Sequence, residues 1–179
     1  MKRIEFGELV IGEIAKKNLM DVCSTNWASS GPKVKALEEQ WTQLFDYTKS
    51  VAVSSGTDGV LNACLALYDL RGAKRNVSEV IVPALSFIAT SNAVRAAGLV
   101  PRFVDVRKET LNIDESKIEE AINENTVAII PVHTMGRMAE MDVIGEIAKR
   151  HELIVIEDAC EAHGAKFKNK FVGQWGDMS

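Results

Sequence analysis

The sequence predicts an α/β protein built on a mostly parallel sheet with helices on both faces. Two patterns carry the prediction. Short, largely apolar β-branched runs recur at Ser50–Val53, Val80–Val82, Val100–Val104, Val127–Val132 and Leu153–Ile156, as in strands buried on both sides. Between them, apolar residues repeat at helical spacing. Strands alternating with helices give parallel sheets joined by right-handed crossovers. Ligands gather at the carboxyl ends of such strands, so function is read from the residues just after each run.

In chain order, the first 30 residues stand apart from this pattern. Residues 4–17 suggest a short helix, and Cys23–Pro32 reads as a loop. From Gly31 the alternation begins. Val34, Leu37, Trp41, Leu44 and Phe45 form one apolar stripe, and Val60, Leu61, Cys64, Leu65 and Leu67 a second. Ile118, Ala121 and Ile122 mark a third helix, and Met141, Ile144, Ile147 and Ala148 a fourth. The stretch Phe171–Ser179 has neither a helical pattern nor a polar tail, and reads as the interior of a longer structural unit.

Composition narrows the class. The 179 residues carry 25 Asp+Glu against 21 Lys+Arg, a net charge of −4. With 46% hydrophobic and 26% charged residues, the chain has the balance of a globular protein with a core. No basic stripe suits nucleic-acid phosphates. Cys23, Cys64 and Cys160 are too few and too widely spaced for a disulfide framework or a paired zinc signature, which fits a reducing cytoplasm. No apolar run approaches the ~20 residues of a membrane span, and acidic residues interrupt the N-terminus where a signal peptide would be apolar.

The strand ends carry the chemistry. Val51-Ala52-Val53 runs into Ser54-Ser55-Gly56-Thr57-Asp58-Gly59 and then a helix. Small residues there leave backbone N–H groups and the helix dipole facing an anion such as phosphate; an ordinary N-cap by Ser55 or Thr57 has the same composition. Leu153–Ile156 ends in Glu157-Asp158-Ala159-Cys160-Glu161-Ala162-His163-Gly164. Asp158 suits a ring N–H⁺, as a carboxylate does for the pyridinium nitrogen of pyridoxal phosphate (PLP), or else caps a helix. Cys160 and His163 lack the partner spacing of a metal site and read as packing. His133, after Val127–Val132, is either a ligand contact or a hydrogen-bonded strand-end histidine. Phe87, after Val80–Val82, is a stacking platform or a core residue. A phosphate-type turn, an aromatic and a carboxylate at the ends of one sheet suit a phosphorylated aromatic cofactor. No G-x-G-x-x-G follows the first strand, which argues against NAD.

Several segments together resemble the DegT/DnrJ/EryC1/StrS family of PLP-dependent sugar aminotransferases. They are Ser55-Gly56-Thr57-Asp58, Pro83–Thr90, Pro101–Val106, Leu111–Asp114, Ile130-Pro131-Val132-His133 and Glu157–Ala165. The resemblance implies the large domain of fold type I PLP enzymes over residues 31–179, incomplete at its C-terminus, with a small C-terminal domain absent from this chain. It implies that Gly56, Thr57 and Asp58 sit at the cofactor phosphate, that Phe87 stacks on the ring, and that Asp158 pairs with the ring nitrogen. Glu161 falls where the family often has Gln, near the ring hydroxyl. His133 and His163 match motif positions near the substrate.

The family's Gly-Asp pair, here Gly176-Asp177, precedes the lysine that binds PLP as a Schiff base; that position lies beyond Ser179. Lys166, Lys168 and Lys170 come before the pair and do not match it. The expected activity is transfer of an amino group from glutamate to a nucleotide-linked keto-sugar by a cytoplasmic homodimer, in the making of a polysaccharide or a secondary metabolite. Nucleic acid and membrane are not expected partners. Two alternatives stand beside it: a PLP-dependent sugar dehydratase with His in place of the lysine, and a non-catalytic or regulatory relative.

Overall fold

The computed structural model describes residues 9–27 and 29–179. Two helices come first, α1 (Glu13–Thr25) and α2 (Pro32–Phe45). The helix expected over residues 4–17 coincides with α1 only from Glu13, and its first part lies outside the described residues. The expected loop at Cys23–Pro32 begins later, since α1 includes Cys23, Ser24 and Thr25. Pro32 opens α2, where the first turn needs no N–H donor. The end of α2 meets the C-terminal loops: Phe45 lies edge-on to Phe171 at 5.3 Å, and Tyr47 Oη donates to Val172 O at 2.5 Å.

The alternating region follows as α3 (Gly56–Arg71), β1 (Glu79–Pro83), α4 (Ile88–Ala96), β2 (Val100–Val104), α5 (Ile118–Ala121), β3 (Thr126–Ile129), α6 (Met141–Arg150) and β4 (Ile154–Val155). A short antiparallel hairpin, β5 (Lys166–Phe167) with β6 (Lys170–Phe171), comes last. Strands β1 to β4 form one parallel sheet in the order β2-β1-β3-β4. The chain leaves β1 toward β2 on one side and returns to β3 on the other, so the strand order reverses between β1 and β3.

Side-chain alternation along the strands builds a core on each face. Val80, Val82, Ala128, Ile130 and Ile156 pack with Cys64 and Leu67 of α3 and with Ala93 and Val94 of α4. Ile81, Ile129 and Val155 pack with Ile118 of α5 and with Met141, Ile144 and Ile147 of α6. Each buried aliphatic side chain removes apolar surface worth about 1.5–3 kcal/mol, which is what clamps the helices to the sheet.

Three local differences from the sequence reading have physical causes. Ser50–Val53 is not a strand: among the described residues no strand pairs with it, Val51 is 70% exposed, and Ala52 N–H donates to Glu38 Oε1 at 2.8 Å. β-branched composition favours extension, but only a neighbour makes a ladder. The run Val127–Val132 pairs regularly only to Ile129, because Pro131 has no N–H to donate; an isolated bridge then joins Val132 to Asp158. Helix α4 went unpredicted because its inward face is made of small residues, Thr90, Ala93 and Val94.

Candidate functional site

The reversal of strand order places a crevice outside the carboxyl ends of β1 and β3, where open α/β sheets bind ligands. Four segments converge there. The bridge Val132–Asp158 carries the residues after β4 alongside those after β3, with Asp158 N–H donating to Pro131 O at 2.9 Å and His133 N–H to Asp158 O at 3.1 Å. From the first turn of α4, after β1, Thr90 Oγ1 donates to Asp158 Oδ2 at 2.8 Å. Ser86 Oγ lies 2.8 Å from the same hydroxyl. Cys160 N–H reaches Asp158 Oδ1 at 3.4 Å. Asp158 is buried, and its carboxylate is held by a hydroxyl from a neighbouring element.

The start of α3 is the fourth segment. Ser55 is its N-cap, accepting from Asp58 N–H at 3.2 Å and donating to Asp58 Oδ2 at 2.8 Å. The Ser54 hydroxyl bonds the same carboxylate, and these two hydroxyls, Ser54 first, hold the Asp58 carboxyl below its ordinary range. The capping reading is therefore right for Ser55, and it leaves the anion reading open. Among the described residues, the N–H groups of Gly56 and Thr57 have no acceptor, as is usual in a first helical turn. A Cβ on Gly56 would stand 2.5 Å from Cys160 Sγ, so the turn is seated directly against the loop that follows Asp158. Partial burial, then the Asp158 carboxylate, push the Cys160 thiol up to about 11. Cys160, expected as packing, is an exposed joint between the two segments.

Phe87, the N-cap position of α4, is 78% exposed, so it is not core. Glu161 Oε2 accepts from Met135 N–H at 2.5 Å, tying the post-β4 loop to the post-β3 turn, where Met135 holds a left-handed φ of 54°. His163 lies away from Asp158's hydrogen-bond network, its ring edge-on to Trp41 of α2 at 5.6 Å.

His133 has no exposed side-chain surface. Its Nδ1 accepts from Ala139 N–H at 3.1 Å, so the neutral ring carries its proton on Nε2 and donates it to Glu157 Oε2 at 3.0 Å. Both nitrogens are engaged inside the protein, as in the hydrogen-bonded strand-end histidine that was one of its two readings.

Glu157 escaped the sequence reading. It is 1% exposed. Besides His133, its carboxylate accepts from Gly173 N–H at 3.0 Å, Trp175 N–H at 2.9 Å and Gly176 N–H at 2.6 Å. Burial opposes ionisation, but the His133, Gly173 and Gly176 hydrogen bonds outweigh it and hold the carboxyl below its usual range. The available signal was two acids directly after an apolar strand, which alternation sends to opposite faces. Thr90 was missed as well: it lies within the Pro83–Thr90 run, but only the fold brings it to Asp158.

A family model matches residues 10–179. The chain belongs to the DegT/DnrJ/EryC1/StrS aminotransferase family. Among relatives of this DegT/DnrJ/EryC1/StrS chain, an uncharacterized protein of Methanocaldococcus jannaschii is 38% identical over 169 residues, which are 94% of this chain and 42% of that protein. The E. coli GDP-4-keto-6-deoxy-D-mannose-3-dehydratase, solved with bound hydrated PLP, is 32% identical with a TM-score of 0.90, covering 98% of this chain and 46% of that one. Helicobacter pylori PseC, an aminotransferase involved in the biosynthesis of pseudoaminic acid, is 28% identical with a TM-score of 0.87, again over 98% of this chain and 46% of that one. The chain therefore spans less than half the length of these relatives.

The parallel sheet with helices on both faces is the fold type I architecture of PLP enzymes, in agreement with the sequence reading. The donor set also fits such a cofactor. Free N–H groups at a helix N-terminus suit a phosphate, a held carboxylate suits a ring N–H⁺, and an exposed aromatic stands after the intervening strand.

Proposed function

We propose that this chain is the N-terminal part of a PLP-dependent aminotransferase that moves an amino group from glutamate to the keto carbon of a nucleotide-linked sugar. The observation that carries the reading is Asp158. Its buried carboxylate, held by Thr90, lies one joint, Cys160 against Gly56, from the open N-terminus of α3. When bound, PLP supplies an electron sink that depends on a protonated ring nitrogen. Asp158 holds that proton. The N–H groups of Gly56 and Thr57, with the Thr57 hydroxyl, bind the phosphate, and Asp58 orders the turn through Ser54 and Ser55. Phe87 covers the ring, and Glu161 lies toward its hydroxyl.

In this reading residues 31–179 are the first portion of the large domain, residues 1–30 its N-terminal helix and loop. The Schiff-base residue and a small C-terminal domain belong to a longer protein. The enzyme works in the cytoplasm as a homodimer. Exposed apolar side chains on α1 and α2, among them Ile14, Leu19, Leu37 and Leu44, support a second subunit, and among the described residues no helix is long and apolar enough to cross a membrane.

A sugar dehydratase is the second reading, favoured by the TM-score of 0.90 to the E. coli dehydratase. The full-length protein, loaded with PLP and given glutamate and a nucleotide-linked keto-sugar, tests both. Amino-sugar formed mole for mole with 2-oxoglutarate is the expected result. Loss of water from the sugar with no gain of nitrogen indicates the dehydratase, and no reaction with any such sugar indicates a non-catalytic relative.

A further inference from the structure

Strand geometry sends adjacent side chains to opposite faces, and the Glu157-Asp158 pair uses this. Asp158 projects toward α4, where Thr90 meets it, while Glu157 projects to the other face and takes N–H groups from the turn at residues 173–176. The following residues then lie along β4: Glu157 N–H donates to Met178 O at 2.8 Å, Asp177 N–H to Val155 O at 2.8 Å, and Val155 N–H to Asp177 Oδ2 at 2.9 Å. One histidine is bonded to both residues, its ring Nε2–H to the Glu157 carboxylate and its backbone N–H to the Asp158 backbone carbonyl. Register decides the face that Asp158 takes, since a one-residue slip of this extended segment would aim it at the other one.

We propose that His133 and Glu157 are positioning residues: a buried pair that fixes the face to which Asp158 points, by anchoring its neighbour on the opposite side of the sheet. The inference rests on Asp158 being the ring-nitrogen partner. It gives His133 a role through Asp158, with no contact to substrate.

The test uses the full-length protein and two separate probes, PLP and inorganic phosphate. Glu157→Gln places an amide where the carboxylate met only donors. His133→Asn keeps an acceptor at the place of Nδ1 and loses the donor to Glu157, whereas His133→Gln keeps a donor at the place of Nε2. Leaving a buried polar group unpaired costs enough to weaken PLP binding about tenfold or more. That loss is expected in Glu157→Gln and His133→Asn, with His133→Gln rescued to within about threefold of wild type. Phosphate affinity, which reads the α3 N-terminus alone, should not change in any of them. In the cofactor-free protein the amides of Gly173, Trp175 and Gly176 should exchange faster in Glu157→Gln.

Asp158→Asn separates the two claims. If it weakens PLP while Glu157→Gln and His133→Asn do not, the positioning role is wrong and the Asp158 assignment stands. If Asp158→Asn leaves PLP affinity unchanged, both are wrong. Equal losses for PLP and phosphate in Glu157→Gln and His133→Asn would mean that the pair only supports the fold, and would also overturn the proposal.

Discussion

Thr90 is 1% exposed, and its hydroxyl bonds both Asp158 Oδ2 and Ser86 Oγ at 2.8 Å. Valine at this position keeps the branched shape and removes only the hydroxyl, while serine keeps the hydroxyl and removes a methyl group. A hydrogen bond to a charged group contributes about 1.5–3 kcal/mol, and without Thr90 the carboxylate is left, among the described residues, with Cys160, whose N–H makes a long 3.4 Å contact and whose thiol lies beside it. Thr90→Val should therefore destabilise the cofactor-free, full-length protein by about 1.5–3 kcal/mol. Thr90→Ser should cost about 0.5–1.5 kcal/mol, the range for losing one buried methyl group. Urea denaturation of wild type, Thr90→Val, Asp158→Asn and the double variant gives the coupling directly, and about 1 kcal/mol or more is expected for residues in contact. Effects that add to within about 0.3 kcal/mol, or a serine variant as damaged as the valine one, would refute the reasoning. They would mean that packing by the Thr90 methyl, and not its hydroxyl, matters at this point of the site.

Two further predictions follow from the same geometry. Because folding lowers the Glu157 carboxyl below its ordinary 4.5, its contribution is complete above that value and fades as pH falls through the lower folded one. Acid unfolding of the full-length protein should thus show a loss setting in below pH 4.5 that Glu157→Gln removes, and identical acid limbs would count against the buried carboxylate. At Gly56, an added methyl meets Cys160 Sγ at 2.5 Å, whereas Cys160 Cβ lies 4.0 Å away. Gly56→Ala should cost about 0.5–1.5 kcal/mol as Cys160 is forced off its rotamer, and that cost should disappear in a Cys160→Ala background; the same cost in both backgrounds, read from urea midpoints, would separate the α3 turn from the Asp158 loop.

The fold was legible where β-branched runs and apolar stripes at helical spacing stand out along the chain. Val80–Val82 and Val100–Val104 lie within β1 and β2, and the stripes at Val34–Phe45 and Met141–Ala148 lie within α2 and α6. It was illegible where partners decide structure. Val51–Val53 has strand composition without a ladder, and α4 hides its apolar face in alanine and threonine. The β5–β6 hairpin turns on Lys168 and Asn169, both at positive φ, a conformation that the short alternation Lys166-Phe167-Lys168 does not announce. At the site, motif positions named Asp158, Gly56, Thr57 and Phe87. The hydrogen-bond partners Thr90 and Glu157 are set by tertiary contact with residues 68 and 16 to 19 positions away, which no local pattern encodes. For His133 the sequence leaves both readings open, because a strand-end histidine has the same sequence appearance whether its ring faces a crevice or a buried carboxylate.

The central claim is that Asp158 keeps the ring nitrogen of the cofactor protonated, and the nitrogen itself can be read. Full-length protein and its Asp158→Asn variant, each loaded with PLP carrying ¹⁵N in the ring, give the protonation state from the ¹⁵N chemical shift near neutral pH. The account predicts a protonated nitrogen in wild type and an unprotonated one in Asp158→Asn, with far-ultraviolet circular dichroism unchanged. The same protonation state in both proteins would contradict it.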